Sequence, residues 1–239
     1  CDAINRRDRL LMDSTASKLV LLLAARGGVD RTELEALLRD ETKLLRSRLP
    51  EGGRVAAFLR LEEDPFDAAP TRIRAFEGTL ELRCDAGDAL ASAVDGFAAR
   101  VADRVHTDLS AALSGVDDTV VPCEQTPFRF QYVMRRRRDK SHAEYLDHYV
   151  KIHAEFGRIT PGIEGYVQFH VDPEAARAAA AAAGLGGWSA DSISELHLGS
   201  VQGFLDEIAR WSRNGEAQAD EENFVDRMNS VMFTSEELT

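Results

Sequence analysis

Histidine is absent from the first 105 residues, and cysteine is scarce throughout. The three cysteines, Cys1, Cys84 and Cys123, show no CxxC spacing and cannot all pair, which argues against a disulfide scaffold or a zinc knuckle. Cys84 and Cys123 read instead as strand residues acting as small hydrophobes in a reducing compartment. Positive charge is also in deficit. The formal net charge is −12 with a pI near 5.0, a surface that repels phosphate backbones and so excludes nucleic acid as a general partner. Long apolar runs are missing too. The longest, Leu19 to Ala25, is strand-sized and far short of the roughly 20 residues of a membrane helix. No segment has the basic start, apolar middle and small-residue cleavage site of a secretory signal, so a cytoplasmic, membrane-free protein is expected. Because the first residue is Cys1 rather than Met, the natural start is expected upstream.

What is present is an ordinary globular composition, 44% hydrophobic and 29% charged over 239 residues, enough for one large domain or two small ones. The apolar pattern gives a strand from Lys18 and a helix opened by the capping-box pair Asp30 and Glu33. Strands follow over Arg54 to Glu62 and Arg72 to Cys84. A long helix is predicted over Asp88 to Leu113, with Leu90, Val94, Phe97, Val101 and Val105 on one face, and then a short strand over Thr119 to Cys123. The order then repeats. A strand over Phe128 to Met134 precedes a helix opened by Ser141 and Glu144. A strand over Tyr166 to Val171, an Ala-rich helix from Asp172-Pro173 to Ala183, and a strand over Ser192 to Leu198 come next. A helix over Val201 to Trp211, a polar loop and a strand over Ser230 to Thr234 end the chain. Leu80-Glu81-Leu82-Arg83 mirrors Ser194-Glu195-Leu196-His197, one of several weak matches in the same order that argue for an internal repeat. The expected fold is α+β, with two tandem ferredoxin-like β-α-β-β-α-β modules, residues 18–125 and 126–239, packed sheet to sheet as a pseudo-dimer. The chain is expected as a monomeric pseudo-dimer or a homodimer.

Five of the six histidines lie between His142 and His197. His142, Leu146, Tyr149, His153 and Phe156 follow a 4-3-4-3 spacing that puts them on one helical stripe facing the sheet, with His148 off it toward solvent. His153 on that apolar and aromatic face is open to two readings, a hydrogen-bonded core imidazole or a catalytic one. Tyr166, Gln168 and His170 alternate onto one face of their strand, as Glu195 and His197 do on theirs. Such rows can face solvent, a barrel interior or a pocket. Tyr132 shares a face with Phe128, Phe130 and Met134.

The second half, from Phe128 to Leu238, resembles the EthD family of the dimeric α+β barrel superfamily. The resemblance rests on His153-Ala-Glu-Phe-Gly-Arg158, Pro161-Gly162, Gly165-Tyr-Val-Gln-Phe-His-Val171 and Asp191-Ser-Ile-Ser-Glu-Leu-His-Leu-Gly-Ser200. The first half is similar only in layout, which implies a divergent copy serving as a built-in partner. The resemblance implies a pocket between sheet and helices. It also implies chemistry among the cofactor-free monooxygenases, cyclases, decarboxylases, dehydratases and lactone isomerases, many acting on aromatic or polyketide-like metabolites. On this basis His153, His170, His197 and Tyr166 are the catalytic candidates. Gln168, Glu195, Tyr132, Tyr149, Phe156 and His142 are the substrate-binding candidates. An imidazole that titrates near pH 6.5 in water suits proton transfer without a cofactor. Haem ligated by His153 is the alternative, although Ser92-Ala-Val-Asp-Gly96 lacks the first glycine of a GxxDG haem-peroxidase pattern. A non-catalytic carrier or assembly protein is the other alternative. No metal site is expected, since the histidines lack a close helical ligand pair. Arg135-Arg136-Arg137-Arg138 is either a solvated turn or a carboxylate-recognition element.

Overall fold

The computed structural model describes residues 17–67, 69–123 and 125–238. Its eight strands are β1 (Ser17–Leu23), β2 (Arg54–Arg60), β3 (Gly78–Cys84), β4 (Ala111–Val121), β5 (Phe128–Met134), β6 (Gly165–Val171), β7 (Ser192–Leu198) and β8 (Val231–Glu237). They close into one antiparallel barrel in the order β1-β3-β2-β8-β5-β7-β6-β4. Each half of the chain contributes four adjacent strands, the fourth lying beside the first.

The expected face-to-face packing of two sheets is replaced by joining at their edges. Phe58 to Arg60 pair with Ser235 to Glu237 at one seam, and Gly115 to Val121 pair with Val171 to Tyr166 at the other. Closure satisfies the edge N–H and C=O groups that stacked sheets would leave open. Gly115 makes the second seam possible, because a Cβ there would stand 1.9 Å from the His170 carbonyl oxygen.

Inward side chains fill the barrel in two layers. At one end Val20, Leu22, Leu113, Phe169, Ile193 and Phe233 form an apolar plug. At the other end Lys18, Glu81, Arg129 and Glu195 are buried together. Lys18 bonds Glu195, and Arg129 donates to Glu81 at 2.7 Å. Isolated charges would not tolerate this burial, whereas opposite charges in contact do. Among the described residues no helix is long and apolar enough to cross a membrane.

Helices cover the outside. The first half carries α1 (Arg31–Arg48), α2 (Gly87–Ala93) and α3 (Phe97–Val101). The single helix expected over Asp88 to Leu113 is broken at Gly96, whose φ of +66° is left-handed backbone. Its apolar stripe from Leu90 to Val105 is nonetheless buried. The chain turns extended at Ala111 because alternate residues there serve two cores. Leu113 points into the barrel plug, while Ala112 points out beneath the first-half helices. The strand expected from Arg72 starts only at Gly78, which leaves residues 61–67 and 69–77 as an irregular strap. In the second half, α4 (His142–His148) runs through a π-helical turn (Tyr149–His153) into α5 (Ala154–Ile159). The Ala-rich α6 (Pro173–Ala183) packs on β4 and the first-half helices. α7 (Val201–Arg210) follows. The segment expected as a polar loop holds α8 (Asn214–Glu221) and a 3-10 turn (Arg227–Asn229). Cys84 is buried in β3. Cys123 lies exposed just past β4 rather than within a strand, and both thiols are free. Cys1 lies outside the described residues.

Candidate active site

The outward faces of β5, β6, β7 and β8 carry Phe130, Tyr132, Tyr166, Ser194, Leu196 and Met232, the floor of a cavity of about 670 Å3. His153 and Phe156 form one wall, and Phe204, Leu205 and Trp211 from the α7 region another. The remaining wall comes from the first half of the chain, through Phe66, Ala69, Pro70 and Thr71 of the strap. The strap is fastened at several points. Buried Asp64 accepts from the backbone N–H groups of Thr234 and Phe66, Thr71 Oγ1 donates to the Ser230 carbonyl, and the Phe66 ring lies 4.7 Å from that of Phe130. The first half of the chain therefore supplies part of the cavity.

His153 owes its position to the π-helical turn. Ser141 and Glu144 start α4 with a reciprocal capping box, and Tyr145 and Tyr149 bury their rings against the sheet. The i→i+5 bonding of the turn then adds one residue, so that Ala154 and Gly157 continue the buried face. This replaces the expected stripe. His142 and Leu146 are only partly buried, and His148, expected in solvent, turns inward. His148 and His153, five apart, come to the same side and hold one carboxylate. His148 Nε2 lies 2.8 Å from Asp220 Oδ1, and His153 Nδ1 lies 2.9 Å from Asp220 Oδ2. Phe224 packs against both rings. Burial alone would raise the Asp220 carboxyl, but the hydrogen bonds from His153 and His148 hold it below the usual carboxylate range. An ionised carboxylate can only accept, so His153 carries its proton on Nδ1, and Nε2 is the nitrogen left for the cavity.

Glu221, the next residue, also lines the cavity. Its Oε2 lies 3.7 Å from Arg227 Nε, and the Tyr132 hydroxyl sits in the field of both groups. Burial pushes the Glu221 carboxyl up. Burial likewise pushes the Tyr132, Tyr149 and Tyr166 phenols up, which keeps them protonated.

Four of the ten residues singled out from the sequence line the cavity: His153, Tyr166, Tyr132 and Phe156. Tyr149, Gln168 and His170 form a ladder behind it. Gln168 Nε2 donates to the Tyr166 hydroxyl at 2.8 Å and to the Tyr149 carbonyl at 3.2 Å, and its Oε1 lies 3.2 Å from His170 Nε2. Burial pushes the half-buried His170 down. His142 lies at the start of α4, where its Nδ1 is 2.8 Å from Asp191 Oδ1, the oxygen that Arg136 also binds. Glu195 and His197 are on the other face of β7, inside the barrel. There Glu195 is spent on Lys18, and burial, then Arg129, pushes His197 down to about 3. Their i, i+2 spacing placed them on one face correctly, but that face is the barrel interior.

Sequence reasoning missed Asp220, Glu221, Arg227 and the strap. Asp220 and Glu221 sit in the run Ala219-Asp220-Glu221-Glu222, where carboxylates look like a solvated loop. The only local hint was Phe224, an aromatic residue within that polar stretch. Among the described residues no group of three or more His, Cys, Asp or Glu side chains could hold a metal ion.

Residues 137–228 match the EthD domain model. No curated protein matches the sequence. Among solved structures, an anthrone oxidase-like protein superposes with a TM-score of 0.65 at 11% identity, covering 94% of this chain and 92% of its own. A variant chlorite dismutase from Candidatus Nitrospira defluvii superposes at 0.54 with 12% identity, covering 95% and 94%. Identities this low establish likeness of fold. The chain thus carries an EthD-like segment over residues 137–228 within an eight-stranded α+β barrel whose fold is similar to those of the anthrone oxidase-like protein and the chlorite dismutase.

Proposed function

We propose that the protein is a cofactor-independent acid–base enzyme that moves a proton on a small, flat, largely apolar metabolite. Lyase, isomerase and cyclase chemistry on an aromatic or polyketide-like substrate fit this reading. The observation that carries it is the His153–Asp220 pair set in the wall of an aromatic cavity. A carboxylate on Nδ1 fixes the imidazole ring and its tautomer, which leaves Nε2 as the atom free to take a proton. Phe66, Phe130, Phe156 and Tyr166 provide flat apolar surface, and Tyr132 and Ser194 supply hydroxyls for a carbonyl or phenol oxygen. Similarity to an anthrone oxidase-like protein supports an aromatic ligand. The matching strand order of the halves supports two tandem ferredoxin-like modules, residues 18–125 and 126–239, of which the second holds the chemistry.

Haem, the alternative expected for His153, does not fit this wall. A haem brings two carboxylates, and among the described residues lining the cavity Arg227 is the one arginine or lysine, already facing the partly buried Glu221.

The test is proton exchange at carbon. The protein is incubated in deuterated buffer with 2-tetralone or 2-indanone, and label uptake beside the carbonyl is followed by proton NMR. Wild type is expected to accelerate exchange on at least one ketone. His153→Ala should remove the acceleration and Asp220→Asn should weaken it about 100-fold. Tight binding without exchange would overturn the enzyme reading in favour of a carrier.

A further inference from the structure

Asp220 and Glu221 are consecutive, yet they face different surroundings. Asp220 is gripped by two imidazoles. Glu221 turns into the cavity, its side chain 15% exposed, and no described residue hydrogen-bonds its carboxyl. Adjacent carboxyls in such unlike settings are a recurring arrangement where an ionised partner and a protonated acid work side by side. We propose that Glu221 is a second catalytic residue of this site, the acid that hands a proton to an oxygen of the bound ligand while His153 takes one from it. The proposal rests on the proton-transfer reading of the cavity and adds a substrate class, compounds in which an acidic C–H lies next to a carbonyl.

The step balances without an oxidant. The C–H proton passes to Nε2 of His153, and the C–H electron pair becomes the new C=C bond. The carbonyl π pair takes the Glu221 proton and becomes an O–H bond. The enzyme is left as imidazolium and carboxylate, and it resets when the imidazolium returns its proton to Glu221 within the same cavity. The groups around Glu221 suit both states. His153 from the π-helical turn and Arg227 from the 3-10 turn favour the carboxylate that forms. Burial and the neighbouring Asp220 and Glu222 favour the acid at rest. Tyr132 from β5 stays a neutral phenol beside it.

Two measurements on the full chain test this. In protein labelled with 13C at the glutamate carboxyl, the resonance missing from Glu221→Gln identifies Glu221. Its midpoint should lie above those of the exposed glutamates, and His153→Ala should raise it further. In the ketone exchange assay, Glu221→Gln should slow exchange about 100-fold and Glu221→Asp should recover part of the loss. A Glu221 midpoint among the exposed glutamates, or full exchange in Glu221→Gln with exchange lost in His153→Ala, would overturn the role of Glu221 and leave the His153 reading standing. Exchange unchanged in His153→Ala would overturn both.

Discussion

Nδ1 of His153 stands 2.9 Å from Oδ2 of Asp220, across 67 residues of chain and between two helical elements packed on each other, the π-helical turn and α8. The contact exists because a π-helical turn ends at His153 and because Phe224 wedges against its ring. An all-α helix would place His148 and His153 about 140° apart, and only one could reach the carboxylate.

Replacing Asp220 with Ala removes a charge-assisted partner from two partly buried imidazoles. The expected loss is about 1–3 kcal/mol of stability, read from urea unfolding. Nitrogen NMR should show His153 changing from one Nδ1-protonated tautomer to a mixture. An unchanged tautomer would mean that something other than Asp220 sets it.

Gly157 is where the helix crosses Tyr166. A Cβ there would stand 2.1 Å from Tyr166 Cε1, and the ring can yield only by moving into the cavity. Gly157→Ala should cost about 1–3 kcal/mol and weaken binding of a flat probe such as 2-naphthol. Tyr166→Leu in the same chain should restore much of the stability. A fully stable Gly157→Ala that binds 2-naphthol normally would contradict the packing.

The legibility of these features differed by cause. Strands with plain alternation, such as Tyr166 to Val171, and the capping box Ser141 with Glu144 were readable because their determinants are local. The broken helix after Gly96 was not, since Ala-rich residues 98–113 favour helix until β1 recruits Ala111 to Val116 into the barrel. The π-helical turn left no trace in a 4-3-4-3 count, so His148 was placed in solvent. The side of β7 that faces a pocket was also hidden. Glu195 and His197 alternate as pocket residues would, and only barrel closure shows that Lys18, from the far end of the sequence, claims Glu195.

That buried pair yields its own expectation. Glu195→Ala removes one of three carboxylates around the fully buried Lys18 ammonium, with Glu81 and Asp117 still in contact, and it should destabilise by about 1–3 kcal/mol. Lys18→Met with Glu195→Leu should recover most of that loss, and a double-mutant cycle in urea would measure the coupling. Ketone exchange by the folded double variant should equal wild type, because the pair lies inside the barrel. Lost exchange would place the barrel interior in the mechanism.

His197 gives a pH signature. In the folded protein its imidazole is pushed down to about 3, whereas in the unfolded chain it titrates near 6.5. Below about 6.5 the unfolded state takes up a proton that the folded state refuses, so this contribution to stability is complete above that pH. It is lost as the pH falls toward about 3. His197→Gln should show a smaller fall in urea midpoint between pH 7 and pH 5 than wild type. Equal falls would show that His197 is not held neutral.

The most direct test of the central claim is where a flat ligand sits. Isotope-filtered NOE spectra of the labelled protein with 2-tetralone would locate it. The account predicts contacts from the tetralone ring to His153 Hε1, Phe156 and the Met232 methyl group. Contacts to His142 and His170 instead, or none at the cavity under saturating ligand, would contradict it.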